Sequence, residues 1–235
     1  MIDCISVENM RESDRYTIEN KVPGLQLMWR AALGIYRAVQ WKGKIAVLAG
    51  SGNNGGDGYA LACILKECGF DCQVYYLGSR RTADAAYYAE KASAVGVSIE
   101  PFVPGTHLLD NAEMIVDCLL GTGFAGEVRT DYKAAIGEIN KSDTFVVSAD
   151  INSGMNGDTG EAVTAVRSDV TVAIGYVKNG MMNPTAAEYM KRLVCVDIGI
   201  ELVKEENKIC FEEEWTEGCY KWPAYLEKHV IVVEE

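Results

Sequence analysis

The stretch Gly50-Ser51-Gly52-Asn53-Asn54-Gly55-Gly56-Asp57-Gly58 carries the clearest chemistry in this chain. It follows an apolar run, Ile45 to Ala49, and precedes a segment that reads as helix. Strand, glycine turn and helix start is the order in which α/β folds seat a phosphate. Backbone N–H groups point outward, the helix start adds partial positive charge, and the missing Cβ atoms admit a ligand closely. The spacing matches neither the dinucleotide G-x-G-x-x-G nor a P-loop, which ends in Gly-Lys-Ser/Thr. Asn53, Asn54 and Asp57 add polar groups that phosphate alone does not require.

Two more polar, glycine-rich motifs follow apolar runs: Asp117 to Glu127, and Asp150 to Gly160. Ligands of open α/β sheets bind outside the carboxyl ends of the strands. A single Asp at a strand end is ordinarily a turn or cap residue; three such ends on one rim point to a shared ligand site. Asn54, Asp117 and Ser153 offer oxygen ligands with one carboxylate among them, which suits a hard, weakly charged cation better than zinc. The two histidines, His107 and His229, lie outside the three motifs. Lys178, in Gly175 to Gly180, reads either as a neighbour of a phosphate or reacting group or as a solvated loop lysine.

The elements that must hold these motifs alternate along the chain. Residues 7–20 read as a weakly amphipathic helix. Pro23 opens a second, whose Leu25, Met28, Ala32, Ile35 and Val39 recur at three- and four-residue spacing. Strand-like runs follow at 44–49, 73–77, 97–103, 114–118, 144–149, 169–174 and 192–198. Helix-like segments fall at 57–69, 81–95 and 130–141, with a shorter candidate near 106–111. The alternation predicts a three-layer α/β/α fold, a mainly parallel sheet covered on both faces, preceded by two N-terminal helices.

The 235 residues suit one domain, and 49% hydrophobic residues argue against disorder. Lys and Arg number 22 against 34 Asp and Glu, a formal charge of −12, which argues against nucleic acid as partner. Residues 201–235 hold ten acids and four bases, half of that excess. This acidic extension, with Trp215, Trp222 and Tyr225, reads as a closing helix and strand or as a partner-contacting arm. Eight cysteines without C-x-x-C spacing read as reduced, buried thiols. The start, Met1 to Cys4, lacks a basic or apolar leader, and no run approaches a membrane span, so a cytoplasmic protein without membrane association is expected.

Together the motifs resemble the NAD(P)H-hydrate epimerase family, also called the YjeF N-terminal domain, from about Ile5 to Ile200. Gly50 to Gly58 looks like its hallmark loop, Val116-Asp117 through Gly123 like its second motif, and Asp150 to Gly154 like its Asp-x-Pro-Ser-Gly. The resemblance implies a Rossmann-like, often dimeric isomerase acting on hydrated NADH or NADPH. It implies substrate contacts from Asn53, Asn54, Gly55, Gly56 and Asp57, from Gly121, Thr122, Gly123, Phe124, Ala125, Gly126 and Glu127, and from Asp150 and Lys178. Asp150 is then the catalytic acid/base, and Asn54, Asp117 and Ser153 hold K+. A dehydratase, fused in many bacterial relatives, is expected as a separate partner. Two departures stand out. Met28-Trp29-Arg30-Ala31-Ala32 replaces Met-Glu-x-Ala-Gly, and Asn152 replaces the proline of the third motif. The Trp29-Arg30 change leaves room for a non-catalytic scaffold, and the glycine loops for a small-molecule kinase.

Overall fold

Alternating side chains build the layers. In β2, Ile45, Val47 and Ala49 join a core shared with three helices, while Ala46 and Leu48 point to the opposite face. This period-two division is what a sheet covered on both sides requires. The computed structural model describes residues 1–210, 212–214, 216, 217 and 219–233. Trp215 lies outside them, as does the side chain of His229.

In chain order the elements are β1 (Ile2–Ile5), α1 (Val7–Asn20), α2 (Gly24–Ala38), β2 (Lys44–Ala49), α3 (Asn53–Glu67), β3 (Asp71–Tyr76), α4 (Ala83–Ala94) and β4 (Ser98–Pro101). There follow β5 (Met114–Cys118), α5 (Thr130–Lys141), β6 (Phe145–Ala149), β7 (Val170–Ile174), β8 (Val177–Lys178) and β9 (Leu193–Asp197). The tail adds β10 (Asn207–Cys210), β11 (Cys219–Lys221) and β12 (Leu226–Val232). Short 3-10 turns link some of these.

Eight strands form one sheet in the order β12-β9-β7-β6-β5-β2-β3-β4, all pairs parallel. Helices α2, α3 and α4 cover one face; α5 covers the other through Tyr132, Ala135, Ile136 and Ile139. The expected three-layer Rossmann-like architecture is therefore present. A second, four-stranded sheet has the order β11-β10-β1-β8, with β1 antiparallel to β10 and parallel to β8.

Several expectations need correction. The first strand is β1, ahead of both N-terminal helices; four residues carry too little pattern to register. Residues 106–111 form turns, with His107 at φ 58. Helix α3 begins at Asn53, not near 57: glycines at 55, 56 and 58 hide helical periodicity in a helix buried on nearly every side. The acidic extension is no free arm. It adds β12 beside β9 and β10 beside β1. Cys210 and Cys219 are joined as a disulfide between β10 and β11, so not all eight cysteines are thiols, and Cys68 is an exposed one.

Candidate functional site: a cleft at three strand ends

Strands β6, β5 and β2 are neighbours, so the residues after them share one rim. From β2 the chain proceeds outward to β3 and β4, then returns to place β5 on the other side of β2. That reversal is the switch point at which doubly wound sheets open a crevice. A cleft of about 680 Å³ lies there. It is lined by Asn53, Asn54 and Asp57, by Gly121 to Ala125 with Glu127, and by Asp150. Gly55, Gly56 and Gly126 are not on its wall. The three motifs thus meet, as expected.

Two glycines make the meeting possible. A Cβ on Gly50 would lie 1.9 Å from the Leu119 carbonyl oxygen, and one on Gly55 would lie 2.0 Å from the Gly50 carbonyl oxygen. Three backbones approach one another where no side chain fits. Gly52, the N-cap of α3, supplies no side-chain cap, which leaves the first amides of the helix available to an anion.

Asp150 occupies a left-handed backbone conformation, φ 65, unusual for a non-glycine residue though tolerated by Asp. Its N–H donates to Val172 O at 2.8 Å. One carboxylate oxygen accepts from Thr122 N at 3.2 Å and the other from Lys178 Nζ at 2.5 Å. Lys178 is fully buried and also donates to Ile174 O at 2.8 Å. It stands behind Asp150 rather than on the cleft wall. The solvated-lysine reading is overturned, and its nearest anion is Asp150.

The fourth side of the cleft comes from residues outside the three motifs. Helix α1 contributes Met10, Arg11, Asp14 and Ile18, and Arg11 Nη2 donates to Thr122 O at 2.8 Å. Asp84, Arg129 and Tyr132 also line it. Leu27, Met28, Ala31, Ile174, Ile198 and Ile200 give an apolar patch from α2 and the strand ends. Burial, and next the Asp150 carboxylate, hold the Asp14 carboxyl above the ordinary range, with Lys178 opposing. Burial pushes Asp57 well above it, reinforced by Asp150 and Asp14.

Beneath the cleft, Asp117 is fully buried. Its oxygens accept from Ser148 Oγ at 2.9 Å, Ser153 N at 3.0 Å, Ser153 Oγ at 2.5 Å and Leu119 N at 3.2 Å. Burial raises its pKa, and the bonds from Ser153, Leu119 and Ser148 pull the other way. Asn54 is buried with neither side-chain oxygen nor nitrogen bonded to any described residue. An unpaired buried amide costs about 1–3 kcal/mol; a cation taking its oxygen removes that cost for the acceptor. Asn54, Asp117 and Ser153 therefore fit a hard, weakly charged ion in donor chemistry.

The two departures are accommodated. Asn152 is fully buried; its two amide N–H bonds are shared among Val166 O at 3.0 Å, Ser168 Oγ at 3.0 Å and Tyr189 O at 2.9 Å, and its oxygen accepts from Thr171 Oγ1 at 2.7 Å. These bonds fix the loop that a proline would otherwise stiffen. Asn152→Ala is expected to lower unfolding stability in urea by about 2–4 kcal/mol, because several buried polar groups lose partners at once. Trp29 stacks on Tyr88 at 6.1 Å, with Lys91 Nζ 4.4 Å above its ring. It is off the cleft wall, and Ala32 fits in the core without exposure. The change that favoured a scaffold thus leaves the cleft intact. A kinase reading, already without a P-loop lysine, gains none from Lys178, which is engaged by Asp150.

Fold and cleft together define a Rossmann-like α/β domain with an open cleft at its switch point. A family model described as YjeF-related protein N-terminus matches residues 24–180, and the chain belongs to that family. It is 37% identical over 197 residues to the NAD(P)H-hydrate epimerase of Limosilactobacillus reuteri strain DSM 20016, covering 81% of this chain and 92% of that protein. It is 36% identical to the Bifunctional NAD(P)H-hydrate repair enzyme Nnr of Coxiella burnetii, covering 81% of this chain but 40% of that longer protein. The crystal structure of yeast ynu0, YNL200c superposes with TM-score 0.73 at 22% identity, over 87% of this chain and 97% of the yeast chain, and so shares the fold.

Proposed function

We propose that this protein is an isomerase that interconverts the R and S epimers at C6 of hydrated NADH or NADPH, a repair reaction on damaged nicotinamide nucleotide. The observation that carries it is Asp150, a carboxylate projecting into the cleft between Thr122 and Lys178. The names and close similarity of the epimerase relatives support the choice of substrate.

The chemistry follows from the substrate. C6 bears a hydroxyl and is bonded to the ring nitrogen. A proton delivered to the hydroxyl lets the nitrogen lone pair expel water and leave a planar iminium. Water returning to the other face inverts the centre without oxidation or reduction. Asp150 serves as acid for one epimer and as base for the other, in reach of solvent at 14% side-chain exposure. Lys178 holds its carboxylate in place. The open N-terminus of α3 and residues 121–127 seat the phosphates, and the apolar patch from α2 lies against the ring. Asn54, Asp117 and Ser153 would hold K+, which when bound supplies positive charge to offset the carboxylates and the phosphates.

A homodimer, and a separate dehydratase acting on the same metabolite, complete the proposal; the bifunctional relatives support a linked second activity. Among the described residues no helix is long and apolar enough to cross a membrane. A cytoplasmic location is proposed with the rest.

Incubating a single purified hydrate epimer with the protein, and following both epimers by chromatography, tests the reading. Equilibration above the uncatalysed rate is expected; an unchanged mixture refutes it. The ion is tested in parallel. Choline in place of K+ is expected to lower Tm by roughly 5–10 °C, since binding at 100 times Kd is worth about 2.7 kcal/mol and each kcal/mol moves a domain of this size about 2–4 °C. Asn54→Ala is expected to abolish that difference. Equal melting in both salts would remove K+ from the site.

A further inference from the structure

Inversion at one carbon asks for proton transfer on both faces of the ring. Asp150 follows the end of β6 on the cleft wall, and one carboxyl serves one face, so a second group is needed for the other. Asp14 stands on α1, three residues from Arg11, whose guanidinium binds the carbonyl of Thr122. The N–H of that same Thr122 is on Asp150. One residue, Thr122, therefore links the two carboxyl-bearing elements of the cleft wall. Asp14 is half-buried, lines the cleft, and among the described residues takes part in no hydrogen bond or ion pair. A half-buried carboxyl lining the same cleft as Asp150 and Asp57, with Lys178 engaged elsewhere and Arg11 turned to Thr122, costs stability, and a functional role accounts for its presence.

The placement of α1 is secured from behind. Asn9 Nδ2 donates to Lys204 O at 2.6 Å, Ser13 Oγ accepts from Val203 N at 3.2 Å, and Thr17 Oγ1 accepts from Glu201 N at 2.9 Å. Ser6 donates through its N–H and hydroxyl to the Glu206 carboxylate at 2.6 and 2.8 Å. Residues 201–206 thus clamp one face of α1 so that the next face, with Arg11 and Asp14, meets the cleft.

We propose that Asp14 is a second catalytic carboxyl, serving the face of the nicotinamide ring opposite Asp150. The inference rests on the epimerase reading above. Protonated Asp14 gives its proton to the C6 hydroxyl; the C–O bond breaks, its electron pair leaves with water, and the nitrogen lone pair forms C=N⁺. Water on the far face forms the new C–O bond as the C=N pair returns to nitrogen, and its proton passes to Asp150. The opposite epimer uses the two carboxyls in reverse. Exchange with solvent restores the starting protonation.

The test compares wild type, Asp14→Asn and Asp14→Glu, each with both hydrates in H2¹⁸O. Asp14→Asn is expected to lose inversion by about 100-fold or more, while Tm stays equal or rises because Asp14 makes no hydrogen bond or ion pair among the described residues that the amide would lose. Asp150 can still expel and re-add water on its own face, so label should enter one epimer only, without inversion. Asp14→Glu keeps a carboxyl and should recover part of the rate. Inversion by Asp14→Asn within about threefold of wild type, label entering both epimers equally or neither, or a lowered Tm with no gain in Asp14→Glu, overturns the assignment. A wild-type protein that equilibrates neither hydrate overturns the epimerase reading, and Asp14 with it.

Discussion

Asp150→Asn is expected to lower kcat for epimer interconversion by about 10²–10⁴-fold, the usual share of a positioned acid/base. The amide keeps the shape and tolerates the left-handed backbone at φ 65, so Thr122 N can still donate to it. What vanishes is the ability to carry a proton. The substitution is not silent for folding, because fully buried Lys178 loses its counter-ion. Breaking one side of such a pair typically costs about 3–5 kcal/mol, visible as a lower urea midpoint. Adding Lys178→Met removes the stranded charge, and the double variant should regain most of that stability while staying inactive. Activity within tenfold of wild type in Asp150→Asn would remove Asp150 from the chemistry.

Gly50→Ala is expected to cost more than about 4 kcal/mol, the range reserved for changes that force backbone to move. Its Cβ would sit 1.9 Å from the Leu119 carbonyl oxygen, and neither partner is a side chain that can rotate away. The strain falls where β2, the first turn of α3 and the segment after β5 touch, so ligand binding and folding should fail together. Gly56→Ala offers the contrast. Its Cβ would meet the end of the Met28 side chain at 2.5 Å, a flexible group that can give, and the expected loss is about 1 kcal/mol or less. Denaturant curves on the two variants separate these cases; equal stabilities would mean the approach at Gly50 relaxes easily.

Much of the site was readable because it is encoded locally. Apolar runs ending in Asp117 and Asp150, and glycines around Asn53 and Asn54, name strand ends and a helix start within a dozen residues. The two departures were legible as letters only. That Asn152 replaces a rigid ring with buried hydrogen bonds to four partners, or that Trp29 faces Tyr88 rather than the cleft, depends on partners many residues distant. Helix α3 begins four residues before the helix-like segment in the sequence, because a helix packed on nearly all sides shows no apolar stripe to read.

By itself the sequence determined the parallel sheet, its covering helices and the three motif-bearing rims, since period and turn chemistry act between near neighbours. Only the tertiary structure decided that Lys178 is buried against Asp150, that Asp14 shares the cleft with Asp150, and that residues 201–206 brace α1. These contacts join positions 28 to 200 apart along the chain. Strand order and helix crossing select such pairs, and no local pattern of residues records that choice.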